Sequence, residues 1–172
     1  KLVYVGRVSR EKDLDVLAEA FLAARTEFEK LELFIVGDGP YLNELARSLS
    51  GRGCYFCGIL KGEDLSRAYA SADIFVFPST TDTFGNVVLE AAASGAPSIV
   101  TDMGGPMEII EPGVSGIVAK GRDVASFAEA ILLLARDPGR RAGMGEAGRQ
   151  RVLCRTWEKA FDMIWNIAPV TP

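Results

Sequence analysis

Histidine is absent from this 172-residue chain. Without an imidazole the chain has no His-based metal site and no Ser-His or Cys-His nucleophile pair of its own. Cysteine is scarce, with three in all. Cys54 and Cys57 form a C-x-x-C, but they sit in the apolar run YFC, and Cys154 is too distant in sequence to complete a second ligand pair. The expectation is small, buried thiols in a reduced, cytoplasmic setting. Lysine and arginine form no long runs and the net charge is −4. Polymeric nucleic acid normally demands a basic stripe, so that partner is excluded. A small anion held by two or three local cations remains open. No apolar stretch approaches the roughly 20 residues that span a bilayer, and no signal-peptide pattern is present. An initiator methionine is also missing, and residue 2 already reads as strand. The expectation is an excised domain or the later part of a longer protein.

The composition is that of a globular chain, 48% hydrophobic and 24% charged. Its length suits one domain burying roughly two-thirds of its unfolded surface. Strand and helix signals alternate. Apolar runs at 2–6, 31–37, 55–59, 73–78, 97–101 and 116–120 read as strands. Between the first two, Leu14, Leu17, Ala18, Phe21 and Leu22 recur at helical spacing as far as about Glu27. Pro40 suits the first turn of a helix running to about Leu49. Leu65, Ala68 and Tyr69 mark a short helix, and residues 87–94 another, ended by Gly95. Helices over 123–136, 139–152 and 157–167 close the chain. Strands that are apolar throughout, alternating with helices, predict an α/β fold: a Rossmann-like, doubly wound parallel sheet of about six strands with helices on both faces. In such sheets ligands bind outside the carboxyl ends of the strands. The last helix carries Trp157, Phe161, Ile164, Trp165 and Ile167 on one face. That face suits either the flank of this domain or a missing partner domain.

The motifs lie just after strands. In GRVSREKDLD (6–15), Gly6 ends a strand and Arg7 and Lys12 flank a helix start, an arrangement that suits either a diphosphate or a solvated loop. Asp13 and Asp15 make a D-x-D, but at a helix start acids also favour the dipole, and metal binding there is discounted. GDGPY (37–41) contains G-x-G but has Leu42 where the dinucleotide fingerprint needs a small residue, and no P-loop follows any strand. Both absences weaken dehydrogenase and NTPase readings, and GDGP is most simply a tight turn. In TDTFGNVVLE (81–90), Asp82 lies in a loop and Glu90 about one turn into a helix. A carboxylate accepts two hydrogen bonds at once, which fits the vicinal hydroxyls of a ribose or hexose. Gly85 would let a phosphate or sugar reach backbone amides. The plainer alternative is a turn cap and a surface residue. Leu89 and Ala91–Ala93 surround Glu90, so its setting reads as packed, and a buried acid needs a partner. In TDMGGPMEII (101–110), Gly104 and Gly105 again permit close approach, while Glu108 reads as a local cap or pair.

Taken together, GRVSREK, IVGDGP, GILKGEDLSRAYASADIFVFPS, TDTFGNVVLEAAASGAPSIVTDMGG and EPGVSGIVAKGRD occur in the order seen in retaining glycosyltransferases of family 4. The chain resembles the C-terminal, nucleotide-sugar-binding half of those enzymes over roughly residues 2–150. The resemblance implies one half of a two-domain GT-B fold. Residues 1–155 would form the nucleotide-sugar-binding domain, and 156–172 a terminal helix able to dock on the missing N-terminal, acceptor-binding half. The implied donor is a nucleoside-diphosphate sugar such as a UDP- or GDP-sugar, with no metal and no separate cofactor. Arg7, Lys12 and Asp82 fall at the catalytic positions: the two cations on the diphosphate, the acid on hydroxyls of the transferred sugar. Glu90 would hold the ribose. Gly6, Phe84, Gly85, Asn86 and Val87 match segments whose backbone meets sugar and phosphate, and Ile59 and Leu60 fall where the base rests. The resemblance also allows peripheral membrane association of the full-length enzyme. Two departures stand out. Asp82 replaces the more usual Glu and is one methylene shorter, and Ala92 stands where Met is common. A same-fold nucleotide-sugar epimerase, a non-catalytic nucleotide-sugar-binding module and a flavodoxin-like cofactor domain are the competing readings.

Overall fold

A computed structural model of the chain describes residues 1–155 and Phe161. The apolar runs condense into six strands: β1 (Leu2–Val5), β2 (Leu33–Val36), β3 (Cys54–Gly58), β4 (Ile74–Phe77), β5 (Ser98–Thr101) and β6 (Gly116–Ala119). They form one parallel sheet in the order β3-β2-β1-β4-β5-β6. Every residue of β1, β4 and β5 is buried, which is why their sequences show no polar alternation. The third run behaves differently. β3 lies at the sheet edge, and its residues alternate between half-buried and exposed. Tyr55 is exposed and stacks on Phe34 of β2 with ring centroids 5.0 Å apart. The expectation of buried strands throughout therefore fails at this edge, where only one neighbour covers the backbone.

The helices are α1 (Leu14–Glu27), α2 (Leu42–Ser48), α3 (Gly62–Ala70), α4 (Asn86–Ala93), α5 (Val124–Arg136) and α6 (Pro138–Leu153). α1 packs on α5, and α4 packs on α3 and α6, so both sheet faces are covered. The starts of α5 and α6 are written locally. Asp123 accepts from the Ser126 amide at 3.0 Å, and Asp137 accepts from the Arg140 amide at 2.8 Å with Pro138 in the first turn. α2 begins two residues later than Pro40 suggests. The Tyr41 amide donates to the Val8 carbonyl at 3.0 Å, so the turn is pulled back onto the loop after β1 before the helix starts. Two 3-10 turns, Arg10–Lys12 and Gly105–Glu108, complete the elements. The expected 157–167 helix, apart from Phe161, lies outside the described residues. No helix among the described residues is long and apolar enough to cross a membrane.

Strand order decides where a ligand can sit. From β1 the chain winds outward through β2 to β3, then returns to place β4 on the other side of β1. The loops after β1 and β4 therefore diverge and leave a crevice at their carboxyl ends, the topological switch point of the sheet.

Candidate functional site

The loop after β1 is held from below and from the side. The buried Tyr4 hydroxyl donates to the Arg7 carbonyl at 2.9 Å. Burial, then the charges of Asp82 and Glu11, raise the Tyr4 phenol well above its ordinary value, so it remains a donor. A Cβ at Gly6 would stand 2.7 Å from that hydroxyl, so the strand must end in glycine for Tyr4 to reach Arg7. The Val8 amide donates to the Asp38 carbonyl at 2.9 Å. GDGPY is thus a turn that braces the neighbouring loop.

The 3-10 turn then delivers Lys12 across the crevice. Its Nζ lies 2.9 Å and 2.8 Å from the two carboxylate oxygens of Asp82, in the loop after β4. Both side chains are largely shielded, at 18% and 24% exposure. Arg7 is freer, with its nearest acid, Glu11, at 4.0 Å. A cavity of about 470 Å³ opens beside the pair, lined by Gly6, Arg7, Lys12, Asp82, Phe84, Gly85, Asn86 and Val87. Asn86 and Val87 are the first residues of α4, and no side chain caps that helix. Its first amides and positive dipole end thus meet the same space as Arg7 and Lys12. A second cavity of about 270 Å³ continues past Gly6 and Arg7 to Asp38, Ile59 and Leu60. The sequence-predicted residues other than Glu90 thus converge on two adjoining cavities that share Gly6 and Arg7.

Glycine is required at position 85 for two reasons. Its φ is +85°, and a Cβ there would come within 2.9 Å of the Pro106 ring. Gly104 and Gly105 also admit a close neighbour, but that neighbour is protein: the Gly105 amide donates to the Asp82 carbonyl at 3.0 Å, and a Cβ at Gly105 would lie 1.9 Å from the Thr83 carbonyl. The Asp82–Phe84 loop rests directly on the loop after β5.

Glu90 corrects the sequence reading. It is exposed, not packed, and it does not line the 470 Å³ cavity. Helical geometry explains the difference: Val88, Ala91 and Ala92 turn into the core and Glu90 turns out. Glu90 nevertheless has a partner, the hydroxyl of buried Tyr69 in α3, which donates to Oε2 at 2.6 Å. Burial and then this bond raise the Tyr69 phenol far above its usual value, so the proton stays on tyrosine.

A family model for "Glycosyl transferases group 1" matches residues 1–137. The chain belongs to this family. Among similar proteins, sulfoquinovosyl transferase SQD2 of Arabidopsis thaliana is 34% identical over 168 residues, covering 96% of this chain and 32% of the relative. A GDP-mannose-dependent alpha-mannosyltransferase of Corynebacterium glutamicum is 38% identical over 161 residues, covering 90% and 36%. The chain spans about a third of the length of these curated relatives. Among solved structures, S. aureus TarM, crystallised with fondaparinux, alpha-GlcNAc-glycerol and UDP, matches with a TM-score of 0.88 at 20% identity, over 97% of this chain and 35% of that one. Anabaena HepE in complex with UDP-glucose matches with a TM-score of 0.83 at 21% identity, over 96% and 48%. At these identities the likeness concerns the fold, the Rossmann-like sheet of GT-B glycosyltransferases.

One further expectation changes in this group 1 chain. The cysteines are not uniformly buried: Cys54 is half-buried, whereas Cys57 and Cys154 are exposed. Cys57 reaches the surface because β3 is an edge strand with a register shift at this point. The D-x-D acids diverge. Asp15 accepts from the Tyr41 hydroxyl and pairs with Arg10 at 3.6 Å. Asp13 reaches Thr80 after β4 and Arg122 after β6. The roles of Tyr69 and Thr80 went unread, because a buried tyrosine on a helix stripe and a loop threonine carry no local signal of a distant partner.

Proposed function

We propose that this chain is the donor-binding part of a retaining glycosyltransferase that takes its sugar from a nucleoside-diphosphate sugar. The observation that carries the reading is the Lys12–Asp82 pair at the switch point, beside an uncapped helix N-terminus and a second exposed cation. An acid alone would not attract a diphosphate, and cations alone would not orient a sugar. Here both chemistries share one cavity.

In this reading the diphosphate lies between Arg7, Lys12 and the first amides of α4, over Gly6, Gly85, Asn86 and Val87. The sugar lies toward Asp82 and Phe84, and the base toward Ile59 and Leu60 in the adjoining cavity. Glu90, held by Tyr69, turns to the ribose hydroxyls once donor is bound. Because Asp82 already occupies Lys12, an arriving diphosphate competes with it for the ammonium. Lys12 then turns to phosphate, and the released carboxylate accepts hydrogen bonds from sugar hydroxyls. As the anomeric C–O bond breaks, negative charge accumulates on the departing diphosphate. Arg7, Lys12 and the α4 dipole stabilise it there, in positions fixed before reaction. The mannosyltransferase relative points to GDP-mannose, and the TarM and HepE complexes to UDP and UDP-glucose, so both nucleotides belong in the test. The acceptor would be met by the remaining two-thirds of such an enzyme, with any membrane contact there as well.

Calorimetry with UDP and GDP tests the reading. One of the two nucleotides should bind, and Lys12→Ala should weaken it by about tenfold or more, the scale of one lost charge-assisted contact. Glu90→Ala should weaken the nucleotide through its ribose. If both variants bind like the parent, the site is wrongly assigned.

A further inference from the structure

Two residues other than glycine adopt positive φ among the described residues, Asp13 at +52° and Arg122 at +59°. They meet each other. Arg122 Nε lies 3.3 Å from Asp13 Oδ1, and Asp13 Oδ2 accepts from the Thr80 amide at 3.1 Å and the Thr80 hydroxyl at 2.7 Å. A second Arg122 nitrogen lies 3.3 Å from that hydroxyl. Strained backbone persists where surrounding contacts over-determine it. Here two strained loops are tied by one carboxylate. Asp13 opens α1, the position at which an acid ordinarily caps its own helix. It makes no cap hydrogen bond, so its side chain serves the neighbouring loops instead.

The position of this clasp gives it a role. Asp13 follows Lys12 directly, and Thr80 is two residues ahead of Asp82. The loops that carry the cation and the acid are therefore pinned together one and two residues from the groups that meet. Close by, the Thr81 hydroxyl donates to the Glu11 carbonyl at 3.1 Å. We propose that Asp13 is a positioning residue, whose carboxylate, through Thr80 and Arg122, sets the separation of Lys12 and Asp82 and hence the geometry in which the donor diphosphate and sugar are received. The donor part of this statement rests on the function proposed above, while the separation of Lys12 and Asp82 does not. Thr80 carries most of the effect. Its two bonds are shielded by an Asp13 side chain only 13% exposed, whereas Arg122 is 64% exposed.

The experiment uses the 172-residue chain and three variants. Asp13→Gly removes the carboxylate and relaxes the left-handed backbone. Asp13→Asn keeps an acceptor for Thr80 in a residue that tolerates that backbone. Thr80→Val removes the hydroxyl's bonds to Asp13 and Arg122 with little change of shape. NMR follows the chemical shifts of the Asp82 carboxyl and the Lys12 Cε, and calorimetry follows UDP and GDP. Asp13→Gly should stay folded, because relief of the left-handed backbone offsets part of the lost bonding, yet move the Asp82 and Lys12 signals and weaken nucleotide by about tenfold, the order expected for sub-ångström misplacement. Thr80→Val should move the same signals the same way. Asp13→Asn should restore binding to within about threefold, because it keeps the main acceptor. If Asp13→Gly fails to fold, Thr80→Val decides the matter. Unchanged Asp82 and Lys12 signals in Asp13→Gly or, in its place, Thr80→Val would overturn the proposal, as would losses in Asp13→Asn equal to those in Asp13→Gly. If the parent binds neither nucleotide, the proposed function falls, and the Asp82 and Lys12 signals alone still test the clasp.

Discussion

Lys12 and Asp82 are 70 residues apart in sequence and meet at 2.8 Å in a shielded crevice. Partly buried partners depend on each other, because removing one leaves the other poorly solvated. The sign of each substitution on binding should therefore differ. Asp82→Asn keeps the shape and frees the Lys12 ammonium from its competing anion. We expect UDP or GDP to bind about threefold to tenfold more tightly to that variant, as for one surface-to-buried charge contact, while sugar transfer in the full-length enzyme falls. Weaker nucleotide binding in Asp82→Asn on calorimetric titration would show that Lys12 is not the shared cation. Tyr69 is the other residue to test. Tyr69→Phe leaves Glu90 without its donor and should cost about 0.5–1.5 kcal/mol of stability in urea unfolding. The sequence made Asp82, Lys12 and Glu90 legible as chemistry because acids and cations stand out against apolar strands. It left Tyr69 illegible because a tyrosine on a buried helix stripe looks like core until its hydroxyl is located.

At the scale of elements, strand and helix identity was written in the period of apolar residues, and every strand core was found. Burial was less legible. The YFC run and the setting of Glu90 both read as interior, but the run proved partly exposed and Glu90 exposed. An apolar run does not say whether its strand lies at an edge, and sequence neighbours of a helical residue face other directions. The start of α4 was legible only as a glycine, and the structure supplies the reason. Gly85 sits at φ +85° with Pro106 against it, so it sets both the direction of the helix and the distance of its first amides from Lys12. Gly85→Ala should destabilise the chain by about 1–2 kcal/mol from the left-handed backbone alone, and more from crowding on Pro106. Thermal melts measure the first effect. Nucleotide titration of the same variant should show weaker binding, because the amides that would meet phosphate move with the helix.

The whole molecule should also reveal its buried phenols through pH. Tyr4 and Tyr69 are almost fully buried, and both donate to oxygen acceptors at or near the site. Burial first, and neighbouring carboxylates second, raise both phenols above their ordinary value near 10. A raised folded-state pKa means that the folded chain holds these protons after the unfolded chain has begun to release them. The stability they contribute is complete below about pH 10 and declines as pH rises above it, levelling only beyond the folded-state values. Each phenol should add a slope of about 1.4 kcal/mol per pH unit in that window, steep against a total stability of about 5–15 kcal/mol. Urea unfolding between neutral pH and pH 11 should therefore show a plateau followed by a fall. Tyr69→Phe should be less stable at neutral pH and fall less steeply above pH 10, so that the two curves converge. Parallel curves would mean that Tyr69 titrates alike in both states, and that its bond to Glu90 does not hold the proton on the phenol.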